Sequence, residues 1–184
     1  MSKHKNEIFD WIKALLIAFI LAFVVRTYLF SPIVVDGSSM LPTLHDRDKM
    51  IVNKFTYRFN EPERFDIVVF HAIDQKDFIK RVIGLPGEHV KMEDGILYID
   101  GQAVPETFFN SSEVGIDYSL TRDFSLEEIP GGYEEIPDDY VLVLGDNRNN
   151  STDSRTIGLI ALDDIVGKAN LVFWPYDRIQ MIKE

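Results

Sequence analysis

Three short segments carry residues whose types and spacing could do chemistry. The first is Asp36-Gly37-Ser38-Ser39-Met40-Leu41-Pro42-Thr43-Leu44. A strand-like run enters a Gly-Ser-Ser turn and leaves through Met-Leu-Pro. Gly37 lets backbone come close to a bound peptide, and Pro42 stiffens the chain beyond the turn. A serine hydroxyl becomes a nucleophile only when a base takes its proton. Taken alone, a serine in a glycine-containing turn is commonly just a turn residue.

A base must therefore be sought. Histidine is the usual one, and the chain has four: His4, His45, His71 and His89. None sits in a motif with an orienting aspartate, although triad members need not be adjacent in sequence. The second segment offers a lysine instead. Phe78-Ile79-Lys80-Arg81-Val82-Ile83-Gly84-Leu85-Pro86-Gly87 places two basic residues in an apolar, strand-like run. Alternation puts their side chains on opposite faces, so the expectation is one buried and one exposed. A free lysine, with a pKa of about 10.4, is a poor base near neutrality. Burial disfavours the charged form and lowers that pKa, so a desolvated lysine can accept a serine proton. The plainer alternative is a basic pair on a strand surface.

The third segment is Gly145-Asp146-Asn147-Arg148-Asn149-Asn150-Ser151-Thr152-Asp153-Ser154-Arg155. Its polar residues suit an exposed loop, and equally a hydrogen-bonded network under a site. Asp153 and Arg155 are spaced to pair across a short turn, and a hydroxyl such as that of Ser151 could orient a lysine amine. A calcium loop would need more carboxylates at regular offsets.

The elements around these segments read clearly. Residues 11–30, WIKALLIAFILAFVVRTYLF, hold an unbroken apolar run from Ala14 to Val25. Lys13 and Arg26 can snorkel to the two interfaces, which extends the run to the roughly 20 residues that cross a bilayer. Trp11 and Tyr28 fall where interfacial aromatics belong. No small-residue cleavage site comes after it, so the expectation is an uncleaved anchor with Lys3, Lys5 and Lys13 on the cytoplasmic side. Beyond Pro32 the chain turns to short strand-like runs: Ile33–Val35, Met50–Val52, Asp66–Phe70, Tyr140–Leu144 and Leu171–Trp174. Asp94-Gly95 between Val90–Met92 and Ile96–Ile99 signals a hairpin, and Asp100-Gly101 a second tight turn. Residues 102–139, rich in Pro, Gly and acids, read as a loop-rich insertion. The fold class is mainly β: one transmembrane helix, then an all-β catalytic body of antiparallel sheets. The expected division is a tail over 1–10, an anchor over 11–30 and an extracytoplasmic domain over 31–184.

Charge narrows the partners. The net charge is −11, with no cysteine, so disulfides and thiolate chemistry are excluded. Residues 1–30 carry four basic and two acidic residues, leaving fifteen basic and twenty-eight acidic, or −13, for the rest. So acidic a body argues against nucleic acid, whose phosphates require a basic face.

Taken together and in this order, the segments resemble type I signal peptidase, over essentially the whole chain. Ser39-Met40-Leu41-Pro42-Thr43-Leu44 matches the family's S-M-x-P-T-L box. Arg64–Phe70 resembles its R-G-D-I-V-V-F strand, and Lys80–Gly87 matches its lysine box. Gly145–Arg155 matches G-D-N-R-x-N-S-x-D-S-R. The resemblance implies a β body outside the cytoplasmic membrane that removes signal peptides from exported preproteins after small residues. It implies Ser39 as nucleophile, Lys80 as general base and Ser151 orienting Lys80. Asp153 and Arg155 become a supporting pair, and Gly145 and Asp146 shape the loop. No metal or cofactor is implied. Partners are signal peptides and the lipid bilayer.

The departures are specific. Many relatives have a serine two residues before the nucleophile, where this chain has Gly37. The Ser39 backbone N–H remains as an oxyanion donor, with the Ser38 hydroxyl as the candidate second. Arg47 and Phe65 stand where relatives have glycine, before Asp48 and Asp66. The substrate is expected to add as a strand, with Ile33, Val35, Met40, Phe78 and Ile79 lining shallow apolar pockets. Two rivals are weighed. A Ser-Lys self-cleaving repressor would carry a DNA-binding domain rather than an anchor, and a membrane-tethered binding protein would not need Ser39, Lys80 and Ser151.

Overall fold

A computed structural model describes residues 2–72, 76–108 and 121–182. Residues 109–120 of the 102–139 stretch, and the side chains of Lys3, Lys5 and Tyr28, lie outside the described residues.

The N-terminal apolar segment is a helix, α1 (Ser2–Val24), continued by one wide π turn (Val25–Leu29) that leads into β1 (Phe30–Val34). Within it, Ile8–Thr27 is 20 residues long and none of it is buried against the body. At 1.5 Å per residue that is about 30 Å, the thickness of a bilayer's hydrocarbon core. By length and composition this helix is long and apolar enough to cross a membrane. Pro32 falls inside β1. β1 is an edge strand, where a missing N–H breaks no central ladder.

The remaining strands are β2 (Lys49–Asn53), β3 (Ile67–His71), β4 (Asp77–Gly84), β5 (Val90–Glu93), β6 (Ile96–Ile99), β7 (Gln102–Ala103), β8 (Phe124–Ser125), β9 (Tyr140–Leu144), β10 (Ile160–Ala161), β11 (Ile165–Trp174) and β12 (Gln180–Met181). The larger sheet runs β1-β2-β11-β3-β4-β9-β10, with β12 beside β11; the smaller runs β7-β6-β5-β8. Every pairing is antiparallel. Both predicted tight turns form, β5–β6 through Asp94-Gly95 and β6–β7 through Asp100-Gly101. The body is mainly β, as its sequence pattern predicts. One short helix, α2 (Ser154–Ile157), escapes the sequence pattern because four residues are too few to show a helical period.

Three apolar cores hold the sheets. Met40, Leu44, Met50, Ile67 and Val172 pack together beneath the loop that carries Ser39. Val68, Phe70, Val82, Val141 and Val143 form a second core. Between the sheets lie Ile83, Val90, Leu97, Leu142 and Leu144, joined by Phe124, Leu126, Ile129 and Ile136. These last four come from the stretch expected as an insertion. Its described C-terminal part is therefore a wall of the core.

The two glycine departures fall on backbone that favours glycine. Arg47 has φ 69° and Phe65 φ 73°, both left-handed. Phe65 is compensated by its ring, which packs on Phe108 with centroids 4.9 Å apart. Arg47 is not, since its side chain is 84% exposed. A non-glycine residue there costs about 1 kcal/mol. Arg47→Gly is therefore expected to raise the thermal midpoint of the detergent-solubilised chain by about 2–4 °C. A midpoint that stays or falls would show that the turn is not strained.

Candidate active site

The loop between β1 and β2 presents Ser39. Its two ends are tied, Val35 N–H donating to Asp48 O (2.8 Å) and Arg47 N–H to Val35 O (2.9 Å). Gly37, at φ +98°, donates its N–H to Asp46 Oδ1 at 2.9 Å. Met40 and Leu44 plug the far side of the turn into the core. Ser39 thus sits on a turn closed at its base and anchored from below, and among the described residues its backbone N–H has no intramolecular acceptor.

Lys80 lies in the middle of β4. Its Nζ is 2.9 Å from Ser39 Oγ and 2.9 Å from Ile79 O. The Phe78 ring centroid is 5.1 Å from the same nitrogen. Lys80 is 4% exposed. Burial lowers its pKa from the ordinary lysine value of 10.5 to about 8, against an opposing pull from Asp153 and Asp146. The amine is therefore substantially neutral in mildly alkaline solution. His71 pairs with Asp77 and His89 with Glu127, both at the surface; the partner of the Ser39 hydroxyl is Lys80.

Alternation does put Lys80 and Arg81 on opposite faces, yet both are buried, which corrects the expectation of one exposed basic residue. β4 is an interior strand whose two faces are both covered. Arg81, fully buried, donates from Nε to Asp146 Oδ1 (2.9 Å), from Nη2 to Asp146 Oδ2 (2.7 Å) and from Nη1 to Phe65 O (2.8 Å). Thr43 Oγ1 also donates to Asp146 Oδ2 (2.5 Å). A two-pronged guanidinium–carboxylate pair of this kind fixes geometry as well as charge.

The loop after β9 closes the site. Asp153 Oδ2 accepts from Gly145 N–H (3.0 Å), and Arg155 donates to both Asp153 oxygens at 2.8 Å. Asn147 N–H donates to Ser39 O (2.9 Å), Asn147 Nδ2 to Ser38 O (3.1 Å) and Asn150 Nδ2 to Ser38 Oγ (3.0 Å). The Ser38 hydroxyl is thus an acceptor inside the loop contact. A Cβ on Gly145 would stand 2.6 Å from Ser39 O and 2.1 Å from Ser151 Oγ, so only glycine permits this approach. Ser151 shares the cavity with Lys80, but its buried Oγ has no hydrogen-bond partner; the expected bond to the amine is not formed in this state. Asn147, Asn150, Thr43 and Arg81 are not among the site residues expected from sequence. All four lie inside the recognised segments, but nothing in a linear motif says which polar residues reach across it.

These elements border a cavity of about 850 Å³ lined by segments 33–40, 76–80 and 149–152. It brings Ser39, Lys80, Ser38 and Ser151 together with Ile33, Val35, Met40, Phe78 and Ile79. Val35 and Met40 are 4% and 2% exposed, so they offer little surface to it. Asp146, Asp153 and Arg155 lie behind the loop. Among the described residues, no group of three or more His, Asp or Glu side chains is placed to hold a metal ion.

The lowered lysine pKa has a stability consequence. Between pH 8 and 10.5 the unfolded chain binds a proton at Lys80 that the folded chain has released, so folded stability rises with pH across that window. Lys80→Met removes this dependence. Its stability relative to the wild type is expected to be greater at pH 7 than at pH 10.5 by about 3 kcal/mol. A difference independent of pH would show that the lysine is not desolvated.

Comparison with known proteins identifies a family. Residues 8–174 match the family model described as signal peptidase, peptidase S26. The chain is 42% identical to signal peptidase I P of Bacillus subtilis subsp. natto, over 98% of this chain and 97% of that one. It is 38% identical to signal peptidase IB of Staphylococcus aureus strain COL, over 96% and 94%. The crystal structure of a signal peptidase I from Enterococcus faecalis superposes with a TM-score of 0.54 at 36% identity, covering 59% of this chain and 97% of that one. With a family match across nearly its whole length and relatives this similar end to end, the chain belongs to the signal peptidase family, peptidase S26, and is a serine endopeptidase.

Proposed function

We propose that this chain removes signal peptides from exported preproteins at the outer face of the cytoplasmic membrane, with Ser39 as nucleophile and Lys80 as general base. The observation that carries the reading is the 2.9 Å separation of Lys80 Nζ from Ser39 Oγ, with burial lowering the lysine pKa to about 8. In the neutral form Lys80 accepts the Ser39 proton, and Ser39 attacks the scissile carbonyl. The Ser39 N–H stabilises the oxyanion, and the protonated amine returns its proton to the leaving amino group. Water, deprotonated by the same lysine, then releases the acyl group. Lys80 needs an orienting contact during this cycle; Ser151 Oγ, buried beside it and unpartnered, is the group available to supply one. The Ser38 hydroxyl, which accepts from Asn150, would donate its own O–H as the second part of the proposed oxyanion site.

The substrate strand is proposed to lie in the cavity beside β1 and β4. β1 is a sheet edge, and β9 pairs with β4 only from Arg81 onward, so Asp77–Lys80 also have a free side. Ile33, Phe78 and Ile79 would receive small side chains. Residues 11–30 anchor the chain, 1–10 remain cytoplasmic and 31–184 form the extracytoplasmic domain.

With a purified preprotein in detergent, Ser39→Ala and Lys80→Ala should each abolish cleavage while remaining folded. Cleavage by Ser39→Ala would place the nucleophile elsewhere. The wild-type kcat/KM should rise with pH through an apparent pKa near 8, because only the neutral amine can accept the proton. A rate that falls over that range would exclude Lys80 as the base. Gly145→Ala displaces the Ser39 carbonyl and is expected to lower kcat by about 10²-fold, the usual cost of an ångström's misplacement.

A further inference from the structure

Two contacts fix how the Ser38–Ser39 peptide faces. Ser38 O accepts from Asn147 Nδ2 (3.1 Å) and from Leu41 N–H (3.2 Å). This peptide is trans, so its carbonyl and the Ser39 N–H point to opposite sides. Drawing Ser38 O into the loop therefore turns the Ser39 N–H away from Asn147, where nothing in the described chain accepts it. One N–H is a small share of what an oxyanion needs, and a second donor must come from close by. Gly37 has no side chain, and its N–H is already committed to Asp46 Oδ1 at 2.9 Å. The Ser38 hydroxyl remains. Its oxygen is four bonds from Ser39 N, so the two donors lie no more than about 5 Å apart. An oxygen about 3 Å from each fits between them.

A hydroxyl rotates, and a free rotor is a poor donor until something directs it. Ser38 Oγ accepts from Asn150 Nδ2 at 3.0 Å, and among the described residues no group accepts its O–H. A donor seated on one lone pair turns the proton away from itself. It also polarises the O–H, because hydrogen bonds in series strengthen one another. Ser38, Ser39 and Asn150 all border the same cavity.

We propose that Asn150 is a positioning residue for the reaction: its amide directs the Ser38 O–H to the oxygen on which charge develops, beside the Ser39 N–H. This rests on Ser39 being the nucleophile. Asn150 acts through Ser38 and needs no bond to the substrate. The contribution is largest in the transition state, where the carbonyl oxygen becomes an anion, so it belongs in kcat and not in KM.

The test measures cleavage of a purified preprotein in detergent by the full chain and by Ser38→Ala, Asn150→Ala and the double variant. Thermal midpoints are recorded for all of them. Ser38→Ala is expected to lower kcat by about 10²-fold with KM unchanged, the usual cost of one oxyanion donor. Asn150→Ala is expected to lower kcat by about 5-fold. In the Ser38→Ala background it should cost nothing further, since no hydroxyl is left to direct. A peptide aldehyde, which Ser39 converts to a hemiacetal, should lose affinity in the same proportions, while the affinity of the cleaved signal peptide stays constant. An unchanged kcat in Ser38→Ala, with Ser39→Ala inactive, would overturn the proposal and leave the nucleophile standing. A loss from Asn150→Ala that persists without the Ser38 hydroxyl would place Asn150 on the substrate itself and overturn it equally. Cleavage by Ser39→Ala would remove the nucleophile and its oxyanion site together.

Discussion

The site depends on one buried ion pair, Arg81 with Asp146. Arg81 comes directly after Lys80 in β4, and Asp146 directly after Gly145 at the end of β9. Joining them sets where the lysine strand and the Gly145 loop meet. Thr43, on the Ser39 loop, donates to the same carboxylate. All three segments of the proposed site therefore converge on Asp146, on the side away from solvent. Removing one partner of such a pair leaves an uncompensated buried charge, which costs about 3–5 kcal/mol. The pair's value here is geometric, because it determines the approach of Ser39 to Lys80.

The same pairing bears on the electrostatics of the lysine. A protein with a net charge of −11 is a poor place to keep an amine neutral, since carboxylates favour its charged form. The two carboxylates that act on Lys80 are Asp153 and Asp146. Each is held by a guanidinium, Asp153 by Arg155 and Asp146 by Arg81. Their pull on the amine is thereby reduced, and burial prevails. The polar loop after β9 thus helps to form the site and also counters the charges it brings near.

Glycine has a distinct use at each of two positions. Gly145 is needed for space, because a single methyl group would strike the Ser39 carbonyl. Gly37 is needed for backbone direction: at φ +98° a Cβ would meet nothing within 4 Å, but the conformation itself disfavours other residues. Arg47 and Phe65 adopt left-handed backbone without glycine, and only Phe65 recovers some of the cost through packing.

Much of this protein was legible in its sequence. The apolar run, the alternating strands and the Asp-Gly turns depend on local periodicity and backbone preference, which a linear reading captures. Ser39, Lys80 and the Gly145–Arg155 loop could be picked out because each lies in a compact motif. What sequence could not decide was how those motifs meet one another. That Arg81 is buried as deeply as Lys80 results from β4 being an interior strand, a matter of sheet order. That Asn147 and Asn150 hold the Ser38–Ser39 turn, while Ser151 makes no bond to Lys80, results from how residues far apart in the chain meet. The core residues in 102–139 were hidden because their partners lie in other strands. Local preferences are written along the chain; which polar groups share a buried space is settled only when the sheets close.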